Sequence, residues 1–366
     1  MAEHAARKAS NLGRLAAALT TCLALAPTAL AADAANRAAP SPAPAATTLE
    51  LSQHSTPADA LQAVLSRAEK ETGVRVVAFG EYHQTNATAK KGAPVSSLRR
   101  FSGELFGVLS PRASDIVLET WITDGNCGKQ ETTAVAKVEK TTERPQNTEN
   151  ELVTLVKQAK SAGVQPHILK LSCDDYKGIL ADDGQVDFEK LLGLLTSLLH
   201  KKISAIATAR SRPAPPAATA PAATATAATA TAATATAATA ATPPKDGGSP
   251  ATAASPEPAA TTSPASTAPA GSAANRLILV YGGGLHNDLQ PRAELAAFTF
   301  GPKVLDEFQG RYLEVDLYVP EYVERDPSMV KEPWFTLYKK RFRPGQTTVI
   351  RRQQGSYIIV FPRRRG

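Results

Sequence analysis

Residues 212–274 decide how the rest of this chain can fold. The stretch holds "TATAATATAATATAATAAT" and "ASPEPAATTSPASTAPAGS", dominated by Ala, Thr, Pro and Ser, without one aromatic side chain. Such a composition buries too little apolar surface to offset the entropy lost on ordering it. It reads as a disordered spacer. Whatever folds must therefore do so from residues 51–211 and 275–366 together, as one domain of ordinary size in two pieces.

The first 31 residues are also set aside. Arg7, Lys8 and Arg14 precede a short apolar run from Leu15 to Pro27, and Ala29-Leu30-Ala31 has the small-x-small form of a cleavage site. That is the layout of a secretory signal peptide, too short to span a membrane, and it places the mature chain in the periplasm or cell envelope. Lipidation at Cys22 is the lesser reading, since the apolar run before it is short and Thr21 is bulkier than the usual small residue. Residues 32–50 read as a flexible tether, and His54 is placed with it. Two cysteines survive cleavage, Cys127 and Cys173. In an exported chain that number invites a disulfide.

The remaining sequence alternates between two periods. Pro57 to Thr72 has apolar residues at helical spacing and ends at Gly73. Val74 to Gly80 is an apolar run suited to a strand buried on both faces. A helix over "SSLRRFSGELFGVLS" leads to a second strand, Asp115 to Thr120. A helix over "TENELVTLVKQAKSAG" leads to a third, "VQPHILKLSC". The long helix "VDFEKLLGLLTSLLHKKISAIATA" precedes the spacer. Beyond it come the strand "RLILVYG", a short helix "LDEFQG" and the strand "RYLEVDLYV". "TTVIRRQQGSYIIVF" predicts an antiparallel hairpin turning at Gln354-Gly355. Strand–helix alternation calls for parallel pairing with right-handed crossovers, so the fold expected is a three-layer α/β sandwich around a mostly parallel mixed sheet.

In such sheets ligands bind at the carboxyl ends of the strands. The polar residues gather there. Glu81 and His83 follow the first strand and Glu119 closes the second. Asp174 and Asp175 follow the third, while Gly283, Gly284, His286, Asn287 and Asp288 follow the fourth. Cys127 and Cys173 fall at the same end. His83, Glu119, His286 and Glu81 are the candidate catalytic set. Two imidazoles and a carboxylate match a divalent metal site with an open position for water. Without metal, a histidine oriented by Glu119 can serve as general base. Haem capture is the other reading, with Tyr82, His83 and His286 as cofactor-binding residues and Tyr281 nearby. Asp174 and Asp175 are second-shell partners or helix N-terminal acids, and Asp288 orients His286 or caps the next helix. The bland alternative leaves both histidines as ordinary loop residues beside tight glycine turns. His167 and His200 read as structural or solvated.

No G-x-S-x-G, G-x-G-x-x-G, P-loop or H-E-x-x-H occurs, which disfavours serine-elbow hydrolases, dinucleotide binders, P-loop enzymes and zincins. The formal charge is +7, with much of the excess at Lys339, Lys340, Arg341, Arg343, Arg351, Arg352 and Arg363–Arg365. In an exported chain this points away from nucleic acid. A solvated face is the simpler reading, and contact with an anionic envelope surface the other.

"VVAFGEYHQT", "DIVLET" and "LILVYGGGLHND", in that order, resemble the superfamily of ChaN-like haem-binding-uptake, TraB, Tiki and erythromycin-esterase proteins, and most of all its ChaN-like branch. The resemblance implies an α/β core with two G-x-x-H motifs, here Gly80 with His83 and Gly283 with His286, and a strand-terminal glutamate, here Glu119. It implies metal-dependent peptidase, esterase or haem-iron binding activity according to branch, and a functional arginine for which Arg99 or Arg100 is the candidate. Two expectations stand together: an exported hydrolase of a peptide or ester bond, metal-assisted or His/Glu-based, and a haem-binding protein without turnover. The polar loop "TDGNCGKQETT" offers little apolar wall for a porphyrin and favours the first.

Overall fold

The computed structural model describes residues 49–82, 95–142, 148–181, 183–211 and 276–363. His83, the signal peptide, most of the tether and the 212–274 spacer lie outside the described residues.

Eight strands form one sheet: β1 Glu50–His54, β2 Val76–Glu81, β3 Ala113–Asp124, β4 Gln165–Ser172, β5 Leu277–Gly283, β6 Tyr312–Tyr318, β7 Thr347–Gln353 and β8 Ser356–Val360. Their order is β1-β7-β8-β6-β2-β5-β3-β4. All pairings among β8, β6, β2, β5, β3 and β4 are parallel. β7 runs antiparallel to both β8 and β1. The β7–β8 hairpin pairs Gln353 with Ser356 around Gln354-Gly355, with Gly355 at φ 75°, as the sequence predicts. β1 was not expected, and His54 belongs to this edge strand opposite Thr347 rather than to the tether.

Helices cover both faces. Side chains alternate across a strand, so Val77 and Phe79 enter one apolar core while Val76 and Ala78 enter the other. The first core is closed by α1 (Pro57–Thr72), α2 (97–109) and α4 (Thr148–Ser161). Thr56 caps α1 by accepting from Asp59 N–H, and Gly73 ends it in the left-handed region at φ 67°. The expected helix α2 is three contiguous pieces, Ser97–Arg100, a π-helical Phe101–Leu105 and Phe106–Leu109. The second core is closed by α3 (Lys129–Thr142), α5 (Cys173–Ile179) and α6 (Phe188–Ser211), with α7 (Gly284–Asn287) and α8 (Gly301–Glu307) at its rim. Three short helices, α9 (Pro320–Val323), α10 (Pro327–Val330) and α11 (Pro333–Arg341), cover a smaller cluster over Ile350 and Ile358. Cys127, after β3, is bonded to Cys173, at the start of α5. Among the described residues no helix is long and apolar enough to cross a membrane.

Candidate functional site

The parallel register sets Gly80 of β2 beside Gly282 of β5. A side chain at Gly282 would stand 2.7 Å from Cβ of Glu119, so the carboxylate of β3 lies over the space that this glycine leaves open. Glu119 is 7 % exposed. Its Oε2 accepts from Gly283 N–H at 2.6 Å, while Oε1 is buried without a hydrogen-bond donor among the described residues.

His286 reaches the same point from α7. Its Nε2 lies 3.3 Å from Glu119 Oε1. The other ring nitrogen, Nδ1, is 2.7 Å from the Phe298 carbonyl and 2.9 Å from Thr196 Oγ1. A carbonyl can only accept, so Nδ1 carries a proton and Nε2 presents its second valence to Glu119. Burial opposes a charged ring here, but the Glu119 carboxylate and the Phe298 carbonyl outweigh it and raise the His286 pKa.

The 3.3 Å separation is informative. A charge-assisted N–H···O bond spans about 2.7–2.9 Å. Two ligands that bind one zinc-like ion at about 2.0–2.2 Å each, near the tetrahedral angle, stand about 3.4 Å apart. The pair is near enough to share a proton, which is what raises the His286 pKa, and it is also spaced as two ligands of one cation would be. A neutral ring with Nδ1–H on a backbone carbonyl is also how metal-binding histidines are usually held. Among the described residues no three His, Cys, Asp or Glu form a metal-binding group; His83, the third ligand the sequence suggests, lies outside them.

The turn carrying His286 is fixed by a second polar assembly on the same face. Asn287 Nδ2 lies 3.4 Å from both the Ala78 carbonyl and Asp316 Oδ1, and Tyr312 Oη donates to the Asn287 carbonyl at 2.8 Å. Phe300 N–H and Thr299 Oγ1 donate to the His286 carbonyl at 2.8 and 2.9 Å. Asp316 and Glu314, two residues apart on β6, share Arg352 of β7. Arg352 Nη2 is 2.9 Å from Asp316 Oδ2 and is also paired with Glu314, and its Nε donates to Ser356 Oγ at 2.9 Å. Glu314 also accepts from Leu289 N–H at 3.2 Å. Burial raises Glu314 to about 8 and Asp316 to about 6, against the pull of Arg352.

The other expected residues fall elsewhere. Glu81 points to the opposite face, where its carboxylate accepts from the Tyr281 hydroxyl, so it does not join Glu119 and His286. Tyr82 donates to Asp326. Asp175 closes a capping box with Ser172 and Asp174 pairs with Lys177. Both acids thus serve the first turn of α5. Asp288 Oδ1 accepts from Gln290 N–H. Arg100 binds Glu104 and the Pro362 carbonyl and lies 4.3 Å over the Phe361 ring, and Arg99 is exposed. Neither touches Glu119. His167 is bonded to Asp115 and His200 to Glu307.

Sequence reasoning missed Thr196, Asn287's anchoring role and the Glu314–Asp316–Arg352 group. The last had a signal. Two acids at i and i+2 on a strand covered on both faces require a buried cation, and Arg351-Arg352 follows in an adjacent hairpin. In comparisons with known proteins, no family model, no curated protein and no solved structure matches this chain.

Proposed function

We propose that this chain is an exported hydrolase of ester or peptide bonds, and that its water-activating centre is the Glu119–His286 pair, completed by His83. The observation that carries the reading is the buried, donor-free Glu119 Oε1, 3.3 Å from His286 Nε2. The three motifs, in their order, resemble the superfamily that includes the Tiki peptidases and erythromycin esterases, though its ChaN-like branch, which they resemble most, favours haem. The complete His83, Glu119 and His286 set tips the reading to hydrolysis. Export is supported by the signal-peptide layout and by the Cys127–Cys173 bond, since disulfides persist in oxidising compartments.

In this reading Gly283 N–H holds Glu119 in one rotamer, and the Phe298 carbonyl holds the imidazole in one tautomer. Nε2 and Oε1 are then both electron-pair donors aimed at one point. A divalent cation held there by Glu119, His286 and His83 would polarise the scissile carbonyl and lower the pKa of water. Without a metal, the raised basicity that Glu119 gives His286 would instead suit Nε2 to take a proton from water as general base.

The test uses the chain purified without chelator, beside Glu119→Gln, His286→Ala and His83→Ala. Metal content, a panel of ester and peptide substrates, and a haemin titration are read on all four. The parent is expected to carry one divalent ion per chain, with each variant losing the ion and about 100-fold or more in hydrolysis. Hydrolysis and metal content unchanged in Glu119→Gln and His286→Ala would sink the proposal. A Soret shift lost in His83→Ala, without hydrolysis in the parent, would move the assignment to haem binding.

A further inference from the structure

The amino ends of the same strands carry a second assembly. An arginine stands just ahead of each of the four central parallel strands: Arg75 before β2, Arg112 before β3, Arg276 before β5 and Arg311 before β6. The register brings them to one edge. Arg75 is level with Arg311, so their side chains leave the same face of the sheet, while Arg276 and Arg112 are level with each other and leave the opposite face. Leu277 N–H donates to the Arg112 carbonyl at 2.8 Å, Ile278 N–H to Arg75 at 2.9 Å, and Arg75 N–H to Arg311 at 2.9 Å. At the usual strand spacing the row is about 14 Å long. Arg210, near the end of α6, joins it by donating to the Arg276 carbonyl at 2.9 Å.

Helix C-termini also reach this edge, and arginines that cap carbonyls there are ordinary. That explains Arg276 on the Pro111 carbonyl, Arg311 on the Phe308 carbonyl and Arg210 on Arg276. Arg210 is also paired with Asp115, and Arg112 lies 3.6 Å from Glu69. Arg75 has no such account. It is partly buried, and among the described residues its guanidinium has neither a hydrogen bond nor an ion pair. Burial and then Arg311 depress its pKa. Burial, Arg75 and Arg276 push Arg210 down to about 10. The cations are thus close enough to repel one another, and the central one is without a counter-charge.

We propose that this edge binds a phosphate-class oxyanion, with Arg75 as the central ligand and Arg311, level with it on the neighbouring strand, beside it. A guanidinium fork matches phosphate oxygens in pairs, and two level cations on neighbouring strands, one of them without a counter-charge among the described residues, call for an anion. The row lies at the opposite end of the strands from Glu119 and His286, so its occupancy is independent of the proposed hydrolysis. The phosphate can come from a soluble phosphate ester or from a lipid headgroup.

The test titrates the chain with pyrophosphate, and separately with phosphatidylglycerol vesicles diluted in phosphatidylcholine, at about 0.15 M salt to screen loose attraction. Arg75→Met is compared with Arg343→Met, an exposed cation at the far end of the sheet. Arg75→Met should weaken binding about tenfold or more, and Arg343→Met should not. Without ligand, Arg75→Met should keep or raise Tm, because it relieves repulsion. Pyrophosphate binding would identify a soluble phosphate, and vesicle binding alone a headgroup. Binding by neither probe, equal binding by parent and Arg75→Met, or a fall in Tm of ligand-free Arg75→Met would overturn the proposal.

Discussion

Replacing Arg352 with leucine should destabilise the chain far more at pH 8 than at pH 5. Glu314 and Asp316 are side by side on one face of β6, with side chains 1 % and 5 % exposed, and Arg352 is the cation paired with both. In solution both acids titrate near about 4. In the folded chain Asp316 is raised to about 6 and Glu314 to about 8, chiefly by burial. The sign follows from these upward shifts. Their contribution to stability is complete below the solution pKa and is lost as pH rises through about 6 and then about 8. In the parent, Asp316 is ionised at pH 8 because Arg352 balances it. In Arg352→Leu the acid must either keep its proton there or lie ionised without its partner, a cost of about 3 kcal/mol for a broken buried pair. That figure is a ceiling, because water admitted beside the shorter side chain would screen the acid. At pH 5 Asp316 is protonated with or without Arg352. What remains is the lost bond to Ser356 and the lost stem packing, about 1 kcal/mol. The assay is urea unfolding of parent and variant at both pH values, with equal m-values as the check on a common unfolded state. An equal loss at pH 5 and pH 8 would refute the coupling of this arginine to buried acids.

Gly282→Ala should displace Glu119, since the new Cβ would stand 2.7 Å from that residue's own Cβ. About 1–3 kcal/mol of stability and about 100-fold in any hydrolytic rate should go together, read by thermal melts and kcat/KM. Arg100→Ala should behave oppositely. It loses a buried cation bonded to Glu104 and Pro362 over the Phe361 ring, which should cost about 3 kcal/mol, while kcat/KM stays at the parental value. Serine at both Cys127 and Cys173 opens a loop with a sequence separation of 46, and denaturant unfolding should show a loss of about 4 kcal/mol on the loop-entropy account.

The central strands were legible because each is apolar on both faces and flanked by turn residues, as in "VVAFG" and "LILVYG". β1 was not. Its residues alternate Leu51 with Ser52 and Gln53 with His54 on a half-exposed edge, and so short a run resembles the tether before it. α3 escaped because, among its described residues, Ala134 and Val138 alone are buried apolar positions and Val135 is only partly buried, in a helix otherwise rich in Lys, Glu and Thr. The helices after β6 had a signal that went unread. Pro320, Pro327 and Pro333 each stand at a helix start, where a missing N–H costs nothing. The site was half legible. Glu119 and His286 do meet, because strand ends of one parallel sheet must share an edge. That Glu81 would face away follows from two-residue alternation, which a motif read as a string does not count.

The glycines explain why two acids, Asp316 on β6 and Glu119 on β3, can be buried on either side of a single turn. Gly80 and Gly282 are register partners at the centre of the sheet. A side chain on Gly80 would stand 2.5 Å from Asp316 Oδ1 and 2.6 Å from the Gly284 Cα, and one on Gly282 would collide with Glu119. Each central strand thus gives up one side chain, and the carboxylate of its outer neighbour, β6 or β3, takes the space. α7 settles over the same gap, with Asn287 turned to Asp316 and His286 to Glu119. By register the partner of Gly80 is therefore Gly282, not the Gly283 of the G-x-x-H string, and Gly283 has a different task, since its N–H fixes Glu119. The repeated glycine–histidine pattern is less a copied ligand loop than the mark of two neighbouring strands thinned at one level. The missing side chains let a backbone turn and two carboxylates pack where a core would otherwise be apolar.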